Sequence, residues 1–170
     1  MRLFAGRWPE STFGMVLLDV SDENATTALN AARTPLAVQF AAESTAARLG
    51  VVRLFGDLLI PDNAPPLARW AAPVVYGPGS LTAAGAEVAA SLDSARQVRA
   101  TVRPAVWGDR PIVVVAAAGQ PTAALDAQRR LAGLSSRGCF LIAGTTDHYI
   151  HYAQPDLVVR AAQDVRAGRC

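Results

Sequence analysis

The sequence predicts an α/β domain of about three parallel strands with flanking helices and a helical insertion, and three observations carry that prediction. An apolar run at residues 14–19 is too continuous for an exposed strand and suits a strand buried on both faces, a Val-rich run at 111–117 reads as a second strand, and the run at 139–143 reads as a third, buried one. Ala-rich segments with apolar residues near helical spacing lie between them. The resulting order of strand, helix, strand, helix predicts parallel pairing with right-handed crossovers.

Taken along the chain, residues 2–8 read as the last turns of a helix that stops at Pro9, since proline cannot donate to the preceding turn. Residues 14–19 follow as a central strand. Residues 21–50 are Ala-rich, with Leu36, Phe40 and Ala47 near helical spacing, and read as helices. From 51 to 79, Pro61, Pro65, Pro66, Pro73 and Pro78 are expected to break any long element. Such a mix of short helices and loops suits a shaped, mobile cover over a pocket. Helix returns over 81–102, and a Val-rich strand over 111–117 follows the turn at Gly108-Asp109. A crossover helix over 122–134, a turn at Ser135-Ser136-Arg137-Gly138 and a strand over 139–143 come next. The last helix, 155–167, is expected to turn Val158, Ala161, Ala162 and Val165 to one face and to end at Gly168, a good C-terminal cap.

Composition narrows the function classes. The 170 residues are 51% hydrophobic and 18% charged, which places the chain among globular proteins with one real core. All 16 basic residues are arginine, set against 14 carboxylates for a net charge of +2. Apart from Arg129-Arg130 they are scattered, so no basic stripe for nucleic acid exists. Cys139 opens a strand and Cys170 is the final residue, so a disulfide would join a core position to a free end; unpaired cysteines are expected. Neither has metal-ligand spacing, and with only His148 and His151 available no zinc site is expected. Uncharged stretches such as 111–125 are interrupted by Gly119, Gln120 and Pro121 and fall short of a membrane span. With no signal-peptide pattern around Arg2 and Arg7, a cytoplasmic location is the default expectation.

Chemistry concentrates in the last third. The strand over 139–143 empties through Gly144, Thr145, Thr146 and Asp147 into His148, at the C-terminal strand end where open α/β sheets bind ligands. Histidine can take and return a proton near neutral pH, so His148 is the candidate general base. To serve acyl transfer it needs an acid on one ring nitrogen and a nucleophile within reach of the other. Asp147 is its neighbour, but adjacent side chains point apart, and His151 reads as a surface or supporting group.

The spacing from His148 to Pro155, followed by Asp156-Leu157-Val158, resembles the histidine loop and last helix of the α/β-hydrolase family. Arg2-Leu3-Phe4-Ala5-Gly6-Arg7-Trp8-Pro9-Glu10 and Gly14-Met15-Val16-Leu17-Leu18-Asp19 resemble the segment just after that family's nucleophile elbow. Arg48-Leu49-Gly50-Val51-Val52-Arg53-Leu54 resembles a cap segment, and Gly108-Asp109-Arg110-Pro111-Ile112-Val113-Val114-Val115 the approach to the penultimate strand. The resemblance implies one partial α/β-hydrolase domain over 1–170, with 21–80 as its cap.

For chemistry, the resemblance implies hydrolysis of an ester or related acyl bond through a covalent intermediate, with no cofactor. Asp19, closing the sixth-strand equivalent, would be the acid that orients His148. The family's other acid position falls in residues 118–122, which hold no carboxylate; Asp126 lies inside a helix, and Glu87 and Asp93 belong to a helix outside the pocket. The Gly-x-Ser-x-Gly elbow is missing, because Gly77-Pro78-Gly79-Ser80 and the glycines flanking Ser135-Ser136 read as turns. So is the oxyanion loop. The expectation is a C-terminal half, inactive alone, whose nucleophilic serine would lie roughly seven residues before the arginine matched by Arg2. Its partners would be a small acyl or ester substrate once completed, and further copies of itself through the open edge of the 14–19 strand. The competing expectation is a non-catalytic binding module that keeps the cap and pocket wall.

Overall fold

A computed structural model describes residues 2–24, 26–55, 58, 60, 66–103 and 107–170. In chain order its elements are α1 (Arg2–Arg7), a short 3-10 turn (Pro9–Ser11), β1 (Met15–Leu18), α2 (Thr26–Arg48), α3 (Val51–Phe55), α4 (Pro66–Val75) and α5 (Pro78–Thr101). They continue with β2 (Ile112–Ala116), α6 (Thr122–Ala132), β3 (Gly138–Ile142), α7 (Ile150–Ala153) and α8 (Pro155–Arg166). The chain packs as two compact units, one of Met1–Asn24 with Ala95–Cys170 and one of Ala25–Ser94.

The first unit is an α/β layer structure around a three-stranded parallel sheet in the order β1-β2-β3. Met15 lies opposite Ile112, and Ile112 opposite Gly138. β2 sits in the middle and all five of its residues are buried. Because successive side chains alternate faces, Ile112 and Val114 join Ala5, Met15, Trp107, Leu131 and Ala132 in one cluster. Val113 and Val115 join Ala117, Ala143, Ile150, Ala161 and Val165 in the other. Helix α6 supplies residues to the first cluster and α8 to the second, so the Val-rich run is apolar at every position because both faces need it. Each fully buried Val or Ile contributes about 1.5–3 kcal/mol.

Local details place the loops. Gly138 opens β3 where a Cβ would overlap the Ala132 carbonyl, so that position admits no side chain. Ser135 pins that turn, donating to the Arg110 carbonyl at 2.6 Å and accepting from the Arg137 N–H at 3.0 Å. As expected, α8 ends at Gly168 in the left-handed region at φ +66°. There the Gly168 N–H bonds the Val165 carbonyl and the Arg169 N–H the Asp164 carbonyl, a doubly bonded helix stop. The face of α8 differs by one residue from expectation: Ala161 and Val165 are buried and Val158 half-buried, but Ala162 is exposed.

Two expectations are corrected here. Cys139 and Cys170 form a disulfide, with Cα atoms 5.5 Å apart. The helix α8 carries the chain from the C-terminal end of β3 back to its N-terminal end, so the last residue meets the second position of that strand. Pro73 does not break structure either, for α4 runs through it and Pro78 opens α5, where its missing N–H has no helical partner to lose. Pro61 and Pro65 lie outside the described residues.

The second unit is helical. It comprises α2, with Pro35 inside it, α3, α4 and the first part of α5. The Ser44 hydroxyl shares a 2.9 Å hydrogen bond with that of Thr82 and lies 3.2 Å from the Pro78 carbonyl, tying α2 to α5. Ser80, one of the serines flanked by glycine, donates to the Val74 carbonyl at 2.8 Å, as a turn residue does. Among the described residues no helix is long and apolar enough to cross a membrane.

Candidate active site

The site is assembled at the C-terminal ends of the strands. β1 delivers Asp19, β2 runs out into the loop holding Ala117 and Gln120, and β3 runs out into the loop holding His148. These loops are tied together, the Ala118 N–H bonding the Thr145 carbonyl at 2.7 Å and the Ala143 N–H the Ala116 carbonyl at 2.8 Å. The histidine loop is held by its own short polar residues: Thr145 Oγ1 accepts from the Asp147 N–H, and Asp147 Oδ1 accepts from the Tyr149 N–H at 2.8 Å. Asp147 thus shapes the loop. Ile150, fully buried at the start of α7, anchors its far end.

The two residues singled out from the sequence meet. His148 Nδ1 lies 2.8 Å from Asp19 Oδ2, across 129 residues of sequence. An ionised carboxylate only accepts, so Nδ1 carries a proton, and in the neutral imidazole the lone pair is then on Nε2. The Asp19 side chain is 2% exposed and that of His148 69%, which puts the carboxylate under the protein surface and the imidazole on it. The Tyr149 ring stands edge-on to the imidazole at 5.6 Å.

Asp19 is held from several directions. Its Oδ1 accepts from the Ala117 N–H at 3.2 Å and from Gln128 Nε2 at 3.0 Å, while Gln120 Nε2 reaches Oδ2 at 3.1 Å. Its backbone sits at φ +42°, the one non-glycine residue with positive φ among those described. Such conformations persist only where surrounding contacts impose them. Burial alone would raise the Asp19 pKa, but the hydrogen bonds from His148, Gln128 and Ala117 and the imidazole's charge outweigh it and hold the carboxyl below its ordinary value. The carboxylate is therefore ionised wherever the histidine works.

Sequence reasoning missed the two glutamines. The loop of residues 118–122 was notable for lacking a carboxylate; it supplies the Gln120 amide instead. Gln128 occupies a core-facing turn of α6 with Leu131 and Ala132, and a polar residue at i among apolar ones at i+3 and i+4 was the available signal. Asp22 was missed too. It is 4% exposed and accepts from the Asn24 N–H at 2.9 Å and from Arg130 at 3.1 Å. Burial raises its pKa, and those donors outweigh the effect and lower it.

No family model, curated protein or solved structure matches the chain. The geometry stands on its own. Among the described residues, no hydroxyl or thiol is bonded to His148, and no three His, Cys, Asp or Glu side chains gather as a metal-binding group. Ser135 lies before β3, at the opposite end of the sheet from His148, and its hydroxyl is spent on the turn. What the arrangement can do chemically is accept a proton at Nε2, with Asp19 holding the ring and stabilising the imidazolium that results.

Proposed function

We propose that the chain supplies the acid and base of an α/β-hydrolase-like serine hydrolase acting on an ester or related acyl bond. The observation that carries this reading is the contact of a buried, ionised carboxylate from one strand end with an exposed imidazole from another. In the proposed reaction a serine hydroxyl from outside these residues gives its proton to His148 Nε2 as it attacks the acyl carbon. His148 then returns the proton to the leaving group, and water repeats the cycle to release the acid. Asp19 fixes the ring throughout and no cofactor enters. By the same resemblance, residues 21–80 would be the cap.

A second reading, a non-catalytic binding module, is favoured by one observation: no hydroxyl or thiol among the described residues reaches His148. The two are separated by a short-chain p-nitrophenyl ester assay. The chain as written should show no turnover above its His148→Ala variant. Extended with a segment that carries a Gly-x-Ser-x-Gly elbow encoded directly upstream, it should gain turnover lost in both His148→Ala and Asp19→Asn, with covalent labelling of the serine by a phosphonate. An upstream sequence with no elbow, or turnover indifferent to His148, leaves the binding reading. The disulfide bears on location, since cytosolic thiols are held reduced whereas an oxidising compartment preserves the Cys139–Cys170 bond.

A further inference from the structure

Helix α6 turns one stripe to the sheet, and Gln128, Leu131 and Ala132 form it. By spacing, position 128 belongs to an apolar residue. The chain instead buries an amide there at 3% exposure, and its Oε1 has no hydrogen-bond partner. A buried acceptor left unpaired is a cost that an apolar side chain of the same shape would avoid. The compensating contact is the 3.0 Å bond from Nε2 to Asp19 Oδ1. Turned over, the amide would set its oxygen against a carboxylate oxygen, so Asp19 dictates which way Gln128 faces.

We propose that Gln128, assisted by Gln120, is a positioning residue that clamps the Asp19 carboxylate so that Oδ2 faces His148 Nδ1. Gln128 and the Ala117 N–H fill Oδ1, and Gln120 approaches from the loop after β2, its Nε2 3.1 Å from Oδ2 and 3.4 Å from Oδ1. With these donors in place the carboxylate is held within reach of Nδ1; without them the side chain swings away from the ring, and the imidazole loses the acceptor that selects its Nδ1–H form. The left-handed backbone at Asp19 adds to the need, because the side chain leaves an uncommon conformation and takes its aim from what it touches. The clamp acts through Asp19 and touches no substrate. It rests on the reading of Asp19 and His148 as acid and base.

The experiment is nitrogen-15 NMR of the imidazoles in the full 170-residue chain, at a pH where both histidines are neutral, with His151→Gln to assign the signals. The native chain should show His148 as the single Nδ1–H tautomer. Asp19→Asn should move the proton to Nε2, because the donors keep the amide oxygen at the Oδ1 position and turn the Asn NH2 toward Nδ1. Gln128→Met should lose the single tautomer and populate both, while its melting temperature stays level or rises as the orphan acceptor is removed. A plain packing role for Gln128 predicts the reverse: a lower melting temperature and an unchanged tautomer. If Gln128→Met does not fold, Gln120→Met, at a half-exposed position, decides by the same tautomer readout. Retention of a pure Nδ1–H form in the glutamine variants, with the expected change in Asp19→Asn, overturns the clamp and keeps the acid–base pair. No change in Asp19→Asn overturns both.

Discussion

Residues 112–116 and residues 69–75 are both dominated by apolar side chains, and they end in opposite environments. In β2 every residue from Ile112 to Ala116 is at most 2% exposed, whereas in α4 Trp70 is 83% exposed, Val74 73% and Val75 53%. The difference lies in geometry rather than composition. A central parallel strand has a neighbour on each edge and a layer on each face, so every position along it is interior. A helix offers one stripe to its surroundings. Apolar content alone therefore does not decide burial, and the chain keeps its core, its disulfide and its candidate site in the unit that has a sheet.

That contrast sets the order of expected effects. The largest belongs to the central strand: Ile112→Ala should lower stability by about 2–5 kcal/mol through lost burial and the cavity left behind, read as a shifted urea midpoint. An effect well below that would mean the sheet is loosely packed and the contrast weaker than it looks. Next comes the disulfide, which closes a span of 31 residues within the sheet unit. Cys170→Ser should cost about 2–4 kcal/mol under oxidising conditions and nothing when the native chain is compared with it in reductant. Two alkylatable thiols in the oxidised native protein would remove this bond from the account.

Acid should also act through the sheet unit. Asp19 and Asp22 are both held below the ordinary carboxylate value, so their contribution to folding is complete above the unfolded-chain value of about 3.9. It is lost as pH falls from there through their lower folded values. Stability plotted against pH should therefore fall on the acid side, and Asp19→Asn with Asp22→Asn should flatten that limb; an equally steep limb in the double variant would assign acid sensitivity elsewhere. The smallest effect is expected in the helical unit, where Trp70→Ala should change stability by about 0.5 kcal/mol or less. A loss as large as that of Ile112→Ala would show Trp70 to be buried in solution and abolish the contrast.

Much of the fold was legible because its signals are local. Continuous apolar runs marked β1, β2 and β3 to within a residue or two, and Gly168 marked the end of α8. His148 was legible because a strand emptying into small polar residues ends in a loop at the binding edge of a sheet. Asp19 came from a family resemblance, and the structure brings it to His148. The glutamines were not legible in the same way, since an amide in a helix carries no mark of what it will face. Pro73 misled because a rule about single residues ignores the turns of helix on either side that tolerate the missing bond.

By itself the sequence determined the α/β order, the parallel strands and the residue types that could move a proton, because periodicity and turn chemistry act over a few residues. Only the tertiary structure decided which groups meet: Asp19 with His148 across 129 residues, Gln128 with Asp19 across 109, and Cys139 with Cys170 across 31. Those meetings depend on how strands stack in a sheet and where a helix returns the chain, and both are settled by the packing of two apolar faces that no short stretch of sequence contains.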